Sequence, residues 1–162
     1  GEVPEREMRG YATALCAAIL LVSFDILSAP ALFLQADGEK TVIVRQIREP
    51  APLTIHFIHS VQKTPVEEFL TAYPDGHFHL TGTRYQSHGV GLPFLPEEGT
   101  FRQEGEHFVL DMDRDYAELS LRTGVGTELM IEAGGKRIPV YEMYPVGTRI
   151  DLVVAPFYTY FL

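Results

Sequence analysis

The chain contains little cysteine and little positive charge, and each shortage excludes some classes of function. A single cysteine, Cys16, rules out an internal disulfide framework and a zinc site built on cysteine ligands. The 13 Lys and Arg residues are outnumbered by 22 Asp and Glu, and no basic cluster is present that could neutralise the phosphates of a nucleic acid. We therefore expect an acidic protein with no nucleic-acid partner and no cofactor.

Charged residues are also scarce in one long segment near the start of the sequence. From Tyr11 to Leu34 the single charged residue is Asp25. A helix from Tyr11 to Ala29, where Pro30 interrupts the pattern, would span about 28 Å, close to the hydrocarbon thickness of about 30 Å. The sequence therefore predicts three regions: a cytoplasmic N-terminus at 1–10, a transmembrane helix at 11–31 and an extracytoplasmic β-domain at 32–162.

A cleaved secretory signal is the alternative for the same segment. Met8 and Arg9 could open such a signal, and Ala29-Pro30-Ala31 has the small-residue spacing of a cleavage site. If the segment is retained, Arg6 and Arg9 weakly favour a cytoplasmic N-terminus. We then expect a single-pass protein of the inner (cytoplasmic) membrane with the following domain outside or in the periplasm.

Asp25 is a costly residue for a membrane helix, because charged side chains are expensive in the hydrocarbon region. It lies four residues before Pro30, near the predicted outer end of the helix, so its side chain could reach the interface. It could equally make a polar contact with the helix of another membrane protein, which small residues such as Ala14 and Ala18 would allow to approach closely. Both interpretations remain open.

The rest of the sequence predicts a mainly β fold made of short strands. Turns are predicted at Asp37-Gly38, Pro74-Asp75-Gly76 and Gly134-Gly135. The predicted strands cover residues 32–36, 41–47, 53–61, 67–73, 77–85, 108–112, 117–122, 128–133, 137–143 and 149–155. This pattern indicates a small β-sandwich or barrel after the helix, and no amphipathic helix is predicted after residue 35.

The stretch "HFIHSVQKTPVEEF", residues 56–69, contains residue types used in catalysis, but strand alternation argues against an active site. In a strand that runs to Val61, His59 faces the apolar side and Ser60 the opposite side, so the two cannot form a nucleophile–base pair. The sequence also lacks a G-x-S-x-G nucleophile elbow. We therefore expect no enzyme. His59 is either a buried histidine hydrogen-bonded to the backbone or a hydroxyl group, or a ligand contact.

Two further stretches carry residue types that bind metal ions, and neither predicts a site. His77 and His79 share a strand face and could supply two ligands, but a third would have to come from His88 or a glutamate. The run "DMDRDYAE", residues 111–118, begins like a calcium loop but has Tyr116 where the loop needs glycine. We expect no metal site and interpret residues 111–118 as a solvated turn between strands.

The stretch "SHGVGLPF", residues 87–94, is rich in glycine. Gly89 and Gly91, followed by Pro93, allow backbone turns and the close approach of a ligand or a protein. The stretch lacks the third glycine and the following helix of a nucleotide-binding loop. It is either a bend that closes the fold or a loop that faces a ligand.

Together, "HSVQKTPVEE" and "SHGVGLP" resemble a family of short bacterial and archaeal proteins of unknown function that are encoded beside TAXI-type TRAP transporters. The pattern is His-Ser, then Thr-Pro-Val and an acid, then Gly-x-Gly-Leu-Pro, and the resemblance covers residues 53–154. The matching residues are His59, Ser60, Thr64, Pro65, Glu68, Gly89, Gly91, Leu92 and Pro93.

The resemblance implies association with transporters that import organic acids through an extracytoplasmic binding protein and a membrane subunit, driven by an ion gradient. We therefore expect an accessory subunit that stabilises the TRAP membrane subunit or docks the TAXI-type substrate-binding protein. The expected partner or ligand contacts are His59, Ser60, Lys63, Thr64, Glu67, Glu68, Arg84, Gly89, Gly91 and Pro93, with Asp25 as a contact in the membrane helix.

The alternative function is a membrane-tethered domain that binds a small organic anion. Lys63, Arg84 and the backbone of the glycine-rich loop would hold the anion in that case. An enclosed cavity lined by convergent polar groups would favour this binder, whereas two motifs that lie together without a cavity would favour docking.

Overall fold

A single long helix followed by two packed β-sheets forms the computed structural model, which describes residues 4–86 and 99–162. The helix α1 covers Glu5–Ser28. The strands are β1 Pro30–Ala36, β2 Glu39–Val44, β3 Ala51–Ile58, β4 Pro65–Ala72, β5 Phe78–Gln86, β6 Thr100–Glu104, β7 His107–Tyr116, β8 Leu119–Arg122, β9 Met130–Ala133, β10 Lys136–Ile138 and β11 Arg149–Pro156. A short helix α2, Val140–Met143, precedes β11, and a 3-10 helix, Phe157–Phe161, follows it.

The two sheets enclose the core. The small sheet has the strand order β2-β1-β11-β8, and the large sheet has the order β10-β9-β3-β4-β5-β7-β6. β1 is buried on both faces from Ala31 to Leu34, whereas alternating residues of β3, such as Leu53 and Ile55, are buried between the sheets. This alternation is what a strand with one solvated face requires. The predicted mainly β fold is confirmed, as a β-sandwich after an N-terminal helix.

The helix α1 is long and apolar enough to span a membrane, and none of its residues is buried. Its 24 residues correspond to about 36 Å at 1.5 Å per residue. It begins at Glu5, earlier than the predicted start at Tyr11, and it ends at Ser28 because Ala29 precedes proline, which disfavours the helical backbone. Pro30 and Ala31, which were predicted to end the helix, instead begin β1.

The predicted glycine turns are confirmed. Asp37-Gly38 joins β1 to β2 with φ of 51° and 79°, and Gly134-Gly135 joins β9 to β10 with φ of 58° and 72°. Two consecutive positive φ angles are the geometry of the two-residue hairpin turns that match the twist of antiparallel strands. The Asp75-Gly76 turn likewise joins β4 to β5.

Several predicted strand boundaries are wrong. The strand predicted at 53–61 ends at Ile58, and the residues that follow form a turn. The strand predicted at 137–143 ends at Ile138, because Pro139 lacks a backbone N–H and stands at the N-cap of α2. Residues 111–116, predicted as a solvated turn, instead continue β7, and the edge strand β6 was not predicted.

Candidate functional site

The turn between β3 and β4, residues 59–64, is organised by the His59 side chain. Its Nδ1 accepts hydrogen bonds from the N–H groups of Val61, at 3.2 Å, and Gln62, at 3.1 Å. The His59 N–H donates to the Thr64 carbonyl at 2.8 Å, and the Lys63 N–H donates to the His59 carbonyl at 2.9 Å. These four bonds make His59 a half-buried histidine bonded to the backbone, as one of the two sequence interpretations predicted.

The argument that placed His59 and Ser60 on opposite faces of a strand is wrong, because both residues follow the end of β3. Ser60 and Lys63 are exposed in the turn, and Lys63 has a φ of 56°, a left-handed backbone that is uncommon outside glycine. The predicted strands at 53–61 and 67–73 implied a turn between them, but its start was placed after Val61 instead of after Ile58, because no glycine marks it.

Thr64, the last residue of the turn, is 2% exposed. No donor or acceptor within residues 4–86 and 99–162 bonds its hydroxyl. Burying a hydroxyl without a hydrogen bond costs free energy, so such groups are rare in folded proteins. The Thr64 hydroxyl is therefore a buried polar group without a hydrogen bond in the described structure.

The neighbouring glutamates of β4 point to opposite faces of the large sheet. Val66, Glu68 and Leu70 alternate with Glu67, and the residues with even numbers face the core side, which we call the inner face. Glu68 pairs across the strands with Ile55 of β3 and Thr83 of β5. Burial raises the pKa of the Glu68 carboxyl. Within residues 4–86 and 99–162, no side chain forms an ion pair or hydrogen bond with it.

The half-buried Glu68 lies among three buried residues, and we call the four together the inner patch: Val66, Glu68, Thr83 and Tyr85. The patch consists of two neighbouring cross-strand pairs, Val66 with Tyr85 and Glu68 with Thr83. Its apolar members and Thr83 are 1% to 5% exposed, yet none of the four belongs to the main core between the sheets. Burial also raises the pKa of the Tyr85 phenol. Because Val66 is the second residue of β4, the patch lies beside the turn at 59–64, at one end of the sheet.

On the opposite, outer face, charged side chains form a row that we call the outer ladder: Arg84, Glu67, His56, Glu132 and Arg137. Arg84 forms an ion pair with Glu67, whose Oε1 lies 3.3 Å from His56 Nδ1. His56 Nε2 lies 3.0 Å from Glu132 Oε2, which also lies 3.2 Å from Arg137 Nε. One residue comes from each of five adjacent strands, so every charge in the row has an opposite neighbour.

The outer ladder contains two predicted site residues, Glu67 and Arg84, and places them together. Because the Arg84 guanidinium is bound by Glu67, an organic anion at Arg84 would have to compete with that carboxylate. The sequence analysis missed His56 and Glu132 as members of this row. Strand alternation places His56 on the polar face, but its contact with a residue 76 positions away depends on strand order, which the sequence does not reveal.

The glycine-rich loop follows β5, and its predicted contacts Gly89, Gly91 and Pro93 lie outside the described residues. The end of β5 is nevertheless fixed, because Tyr85 pairs with Val66 at the start of β4. Gln86, the last residue of β5, therefore lies at the same end of the sheet as the turn at 59–64.

Asp25 has a partner within its own chain. Its Oδ2 lies 2.6 Å from Nη2 of Arg48, in the connection between β2 and β3. Both side chains are more than half exposed, which favours a modest contribution to stability. This ion pair ties the last turns of α1 to the β-domain.

The two histidines considered as metal ligands are paired with aspartates. His77 Nδ1 lies 2.5 Å from Asp75 Oδ1, and bonds from the His77 backbone and ring lower the pKa of the Asp75 carboxyl. His79 lies 2.7 Å from Asp115 and 3.1 Å from Asp113. In the two described segments, no three His, Cys, Asp or Glu side chains are arranged to hold a metal ion.

Three half-open clefts mark the surface, with volumes of about 520, 420 and 390 Å³. The first two border the small sheet around Gln35, Arg149 and Asp151. The third lies on the outer face of the large sheet and includes Arg84 among its lining residues. None of the three is lined by Thr64 or Glu68.

Comparison with known protein families identifies a family of unknown function and gives no link to a transporter. A profile described as Domain of unknown function (DUF1850) matches residues 53–148. No curated protein and no solved structure matches the chain significantly. The profile match covers more than half of the 162 residues and includes the turn, both glutamates and the glycine-rich loop. The chain therefore belongs to this family, the domain of unknown function DUF1850.

Proposed function

We propose that the chain is a membrane-tethered accessory subunit whose β-domain docks a partner protein through one end of the sandwich, which we call the docking end. The docking end comprises the turn at 59–64, the inner patch and the start of the glycine-rich loop. We further propose that the partner is a component of a TAXI-type TRAP transporter for organic acids. That last step is supported by the resemblance of the two motifs.

The observation that carries the proposal is a pair of polar groups at the docking end that have no hydrogen-bonding partner among the described residues. Glu68 is partly buried, which raises the pKa of its carboxyl, and Thr64 has a buried hydroxyl. Both groups lower the stability of the free domain, and proteins retain such groups mainly where function uses them. A docked partner that bonds Glu68, and that reaches Thr64 when the turn at 59–64 opens, would offset this cost.

The tether is supported by the way α1 enters the domain. A single residue, Ala29, separates α1 from β1, and its carbonyl accepts a 2.9 Å hydrogen bond from the Phe157 N–H. Ala31 is completely buried in β1, a central strand of the small sheet. Cleavage at Ala29-Pro30-Ala31 would remove residues that the domain uses, which favours a retained helix over a removed signal.

The docking end lies away from the helix. Arg48, which binds Asp25, comes three residues before β3 begins at Ala51. From Ala51 to Ile58 the strand covers about 23 Å at 3.3 Å per residue. A surface at this distance suits a partner outside the bilayer, so we favour the substrate-binding protein over the helices of the membrane subunit.

Site-specific photo-cross-linking of the full chain in native membranes tests this proposal. A photoreactive phenylalanine at Val61, which is 80% exposed, should capture a transporter component. The matched control is Asp75, an exposed position in the turn at the other end of β4. The proposal fails if Val61 captures nothing that Asp75 does not, and if organic-acid uptake is unchanged in cells that lack the chain.

The anion-binding alternative has its own outcome in titration calorimetry of the purified chain with small organic acids. Saturable binding that is lost in Arg84→Gln, but kept in Arg102→Gln on the same sheet face, would replace docking with ligand binding as the function.

A further inference from the structure

The 3-10 helix Phe157–Phe161, which we call the aromatic segment, exposes several large aromatic rings. Tyr158 and Tyr160 are about half exposed, and Phe161 is 67% exposed. The rings are nevertheless held in place: Tyr160 stacks on the completely buried Phe33, and Phe161 meets Tyr160 edge to face at 5.4 Å. An exposed aromatic cluster with fixed geometry marks an interaction surface.

The aromatic segment lies beside α1. It contacts the helix directly, and the Phe157 N–H bonds the carbonyl of Ala29, the residue that follows the helix. Five residues of 3-10 helix extend about 10 Å at 2 Å per residue. The whole segment therefore stays within about 10 Å of the point where the apolar surface of α1 ends.

That distance matches the interfacial layer of a bilayer. The hydrocarbon core is about 30 Å thick and the complete bilayer about 40 to 45 Å, which leaves about 5 to 7 Å of headgroups on each side. If α1 spans the core, the aromatic segment is placed in or next to this layer. Tyrosine is enriched there because its ring is apolar and its hydroxyl is polar.

Basic side chains surround the segment. The Arg45 guanidinium lies 4.2 Å above the Phe157 ring, and Lys40 Nζ donates to the Thr159 carbonyl at 2.6 Å. Arg48 lies nearby through its ion pair with Asp25 in α1. In an acidic protein with a net charge of -9, three cations beside exposed rings favour a surface that carries phosphate groups.

We propose that the aromatic segment binds the lipid headgroup layer beside α1 and thereby fixes the orientation of the β-domain on the membrane. The inference rests on the membrane span of the proposed function. With α1 and the segment both held, the β-domain has two attachments to the bilayer, and the docking end is kept at a constant height.

Tryptophan fluorescence in vesicles tests this inference, because the sequence contains no tryptophan. Three single variants of the full chain are reconstituted in phosphatidylcholine with brominated acyl chains: Phe161→Trp in the segment, Leu20→Trp within α1 and Phe101→Trp on β6. We expect strong quenching for Leu20→Trp and none for Phe101→Trp. Phe161→Trp should be quenched most by bromine placed close to the headgroups.

The outcomes separate the two proposals. Quenching of Leu20→Trp with none for Phe161→Trp overturns the role of the aromatic segment and leaves the membrane span intact. Absence of quenching at Leu20→Trp overturns both. Circular dichroism checks that each variant is folded, and Tyr158→Trp, also about half exposed, replaces Phe161→Trp if that variant does not fold.

Discussion

On the outer face of the large sheet, Glu67 is bound by Arg84 and His56, whereas Glu68, the next residue, lies on the inner face without an ion pair from residues 4–86 or 99–162. The outer ladder pairs Glu67 with Arg84 and Glu132 with Arg137, and the His56 ring lies between the two glutamates. The inner patch combines apolar residues with a carboxyl whose pKa is raised by burial. Two glutamates whose Cα atoms are about 3.8 Å apart therefore place their carboxyl groups in different electrostatic environments.

The difference separates a structural arrangement from a functional one. The charges of the outer ladder satisfy each other, so this face needs no further partner. The half-buried Glu68 carboxyl and the Thr64 hydroxyl lower the stability of the free protein, and under the proposed function a docked partner completes both groups. In the following predictions, stability is measured on the full chain in detergent and cross-linking is measured in native membranes.

The largest effect on the free energy of unfolding is expected at His59, the first residue of the turn after β3. His59→Ala removes the acceptor for the Val61 and Gln62 N–H groups and should lower the free energy of unfolding by about 2 kcal/mol. His59→Asn should retain most of the stability, because an Asn side chain accepts hydrogen bonds from the same local N–H groups. Chemical denaturation measures both. Full stability of His59→Ala together with lost partner binding would instead make the ring a contact residue.

A smaller effect of opposite sign is expected at Glu68. Glu68→Gln removes the cost of an ionised buried carboxyl and should raise the free energy of unfolding at pH 7 by about 1 kcal/mol. Because the folded pKa lies above the ordinary value of 4.5, Glu68 contributes no penalty below pH 4.5, where it is protonated in both states. Its destabilising effect grows as the pH rises from 4.5 through the folded pKa.

The difference in melting temperature between Glu68→Gln and the parent should therefore shrink as the pH falls from 7 to 4. A difference that is constant over this range would show that the variant acts through packing and that the Glu68 charge does not lower the stability.

Glu67 provides the matched control on the outer face. Glu67→Gln weakens the contacts with Arg84 and His56 and should lower the free energy of unfolding by about 0.5 to 1 kcal/mol, because the ladder is partly exposed to solvent. The loss should decrease in 1 M salt, which screens exposed charges. Equal responses of Glu67→Gln and Glu68→Gln to pH and salt would contradict the difference between the two faces.

The sequence was sufficient to predict the helix, and to predict the hairpins whose turns need glycine or aspartate with positive φ. Those features depend on neighbouring residues: the apolar run before Pro30, and pairs such as Gly134-Gly135. It was insufficient for the turn at 59–64, where Lys63 takes a left-handed backbone without a glycine signal. There the hydrogen bonds of the His59 ring decide the local structure.

The candidate site was only partly predictable for a related reason. Glu67 and Glu68 were identified through the motif, and Arg84 was identified as a cation that could hold an organic anion. The pairing of Arg84 with Glu67 on one face depends on the register of β4 with β5. The contact of His56 with Glu132 joins strands that are far apart in the sequence. Local patterns do not contain such information.

The smallest effect on stability is expected at Thr64, and it separates folding from docking most clearly. Thr64→Val replaces the buried hydroxyl, which has no partner among the described residues, by a methyl group of similar shape, so the free energy of unfolding should rise by about 0.5 kcal/mol. If a docked partner bonds this hydroxyl, the same variant should reduce cross-linking from Val61 several-fold although the free protein is more stable. A Thr64→Ser variant keeps the hydroxyl and should preserve cross-linking despite a loss of packing. Normal cross-linking by Thr64→Val would assign the hydroxyl no part in docking and would leave Glu68 as the only polar group of the described docking end with that role.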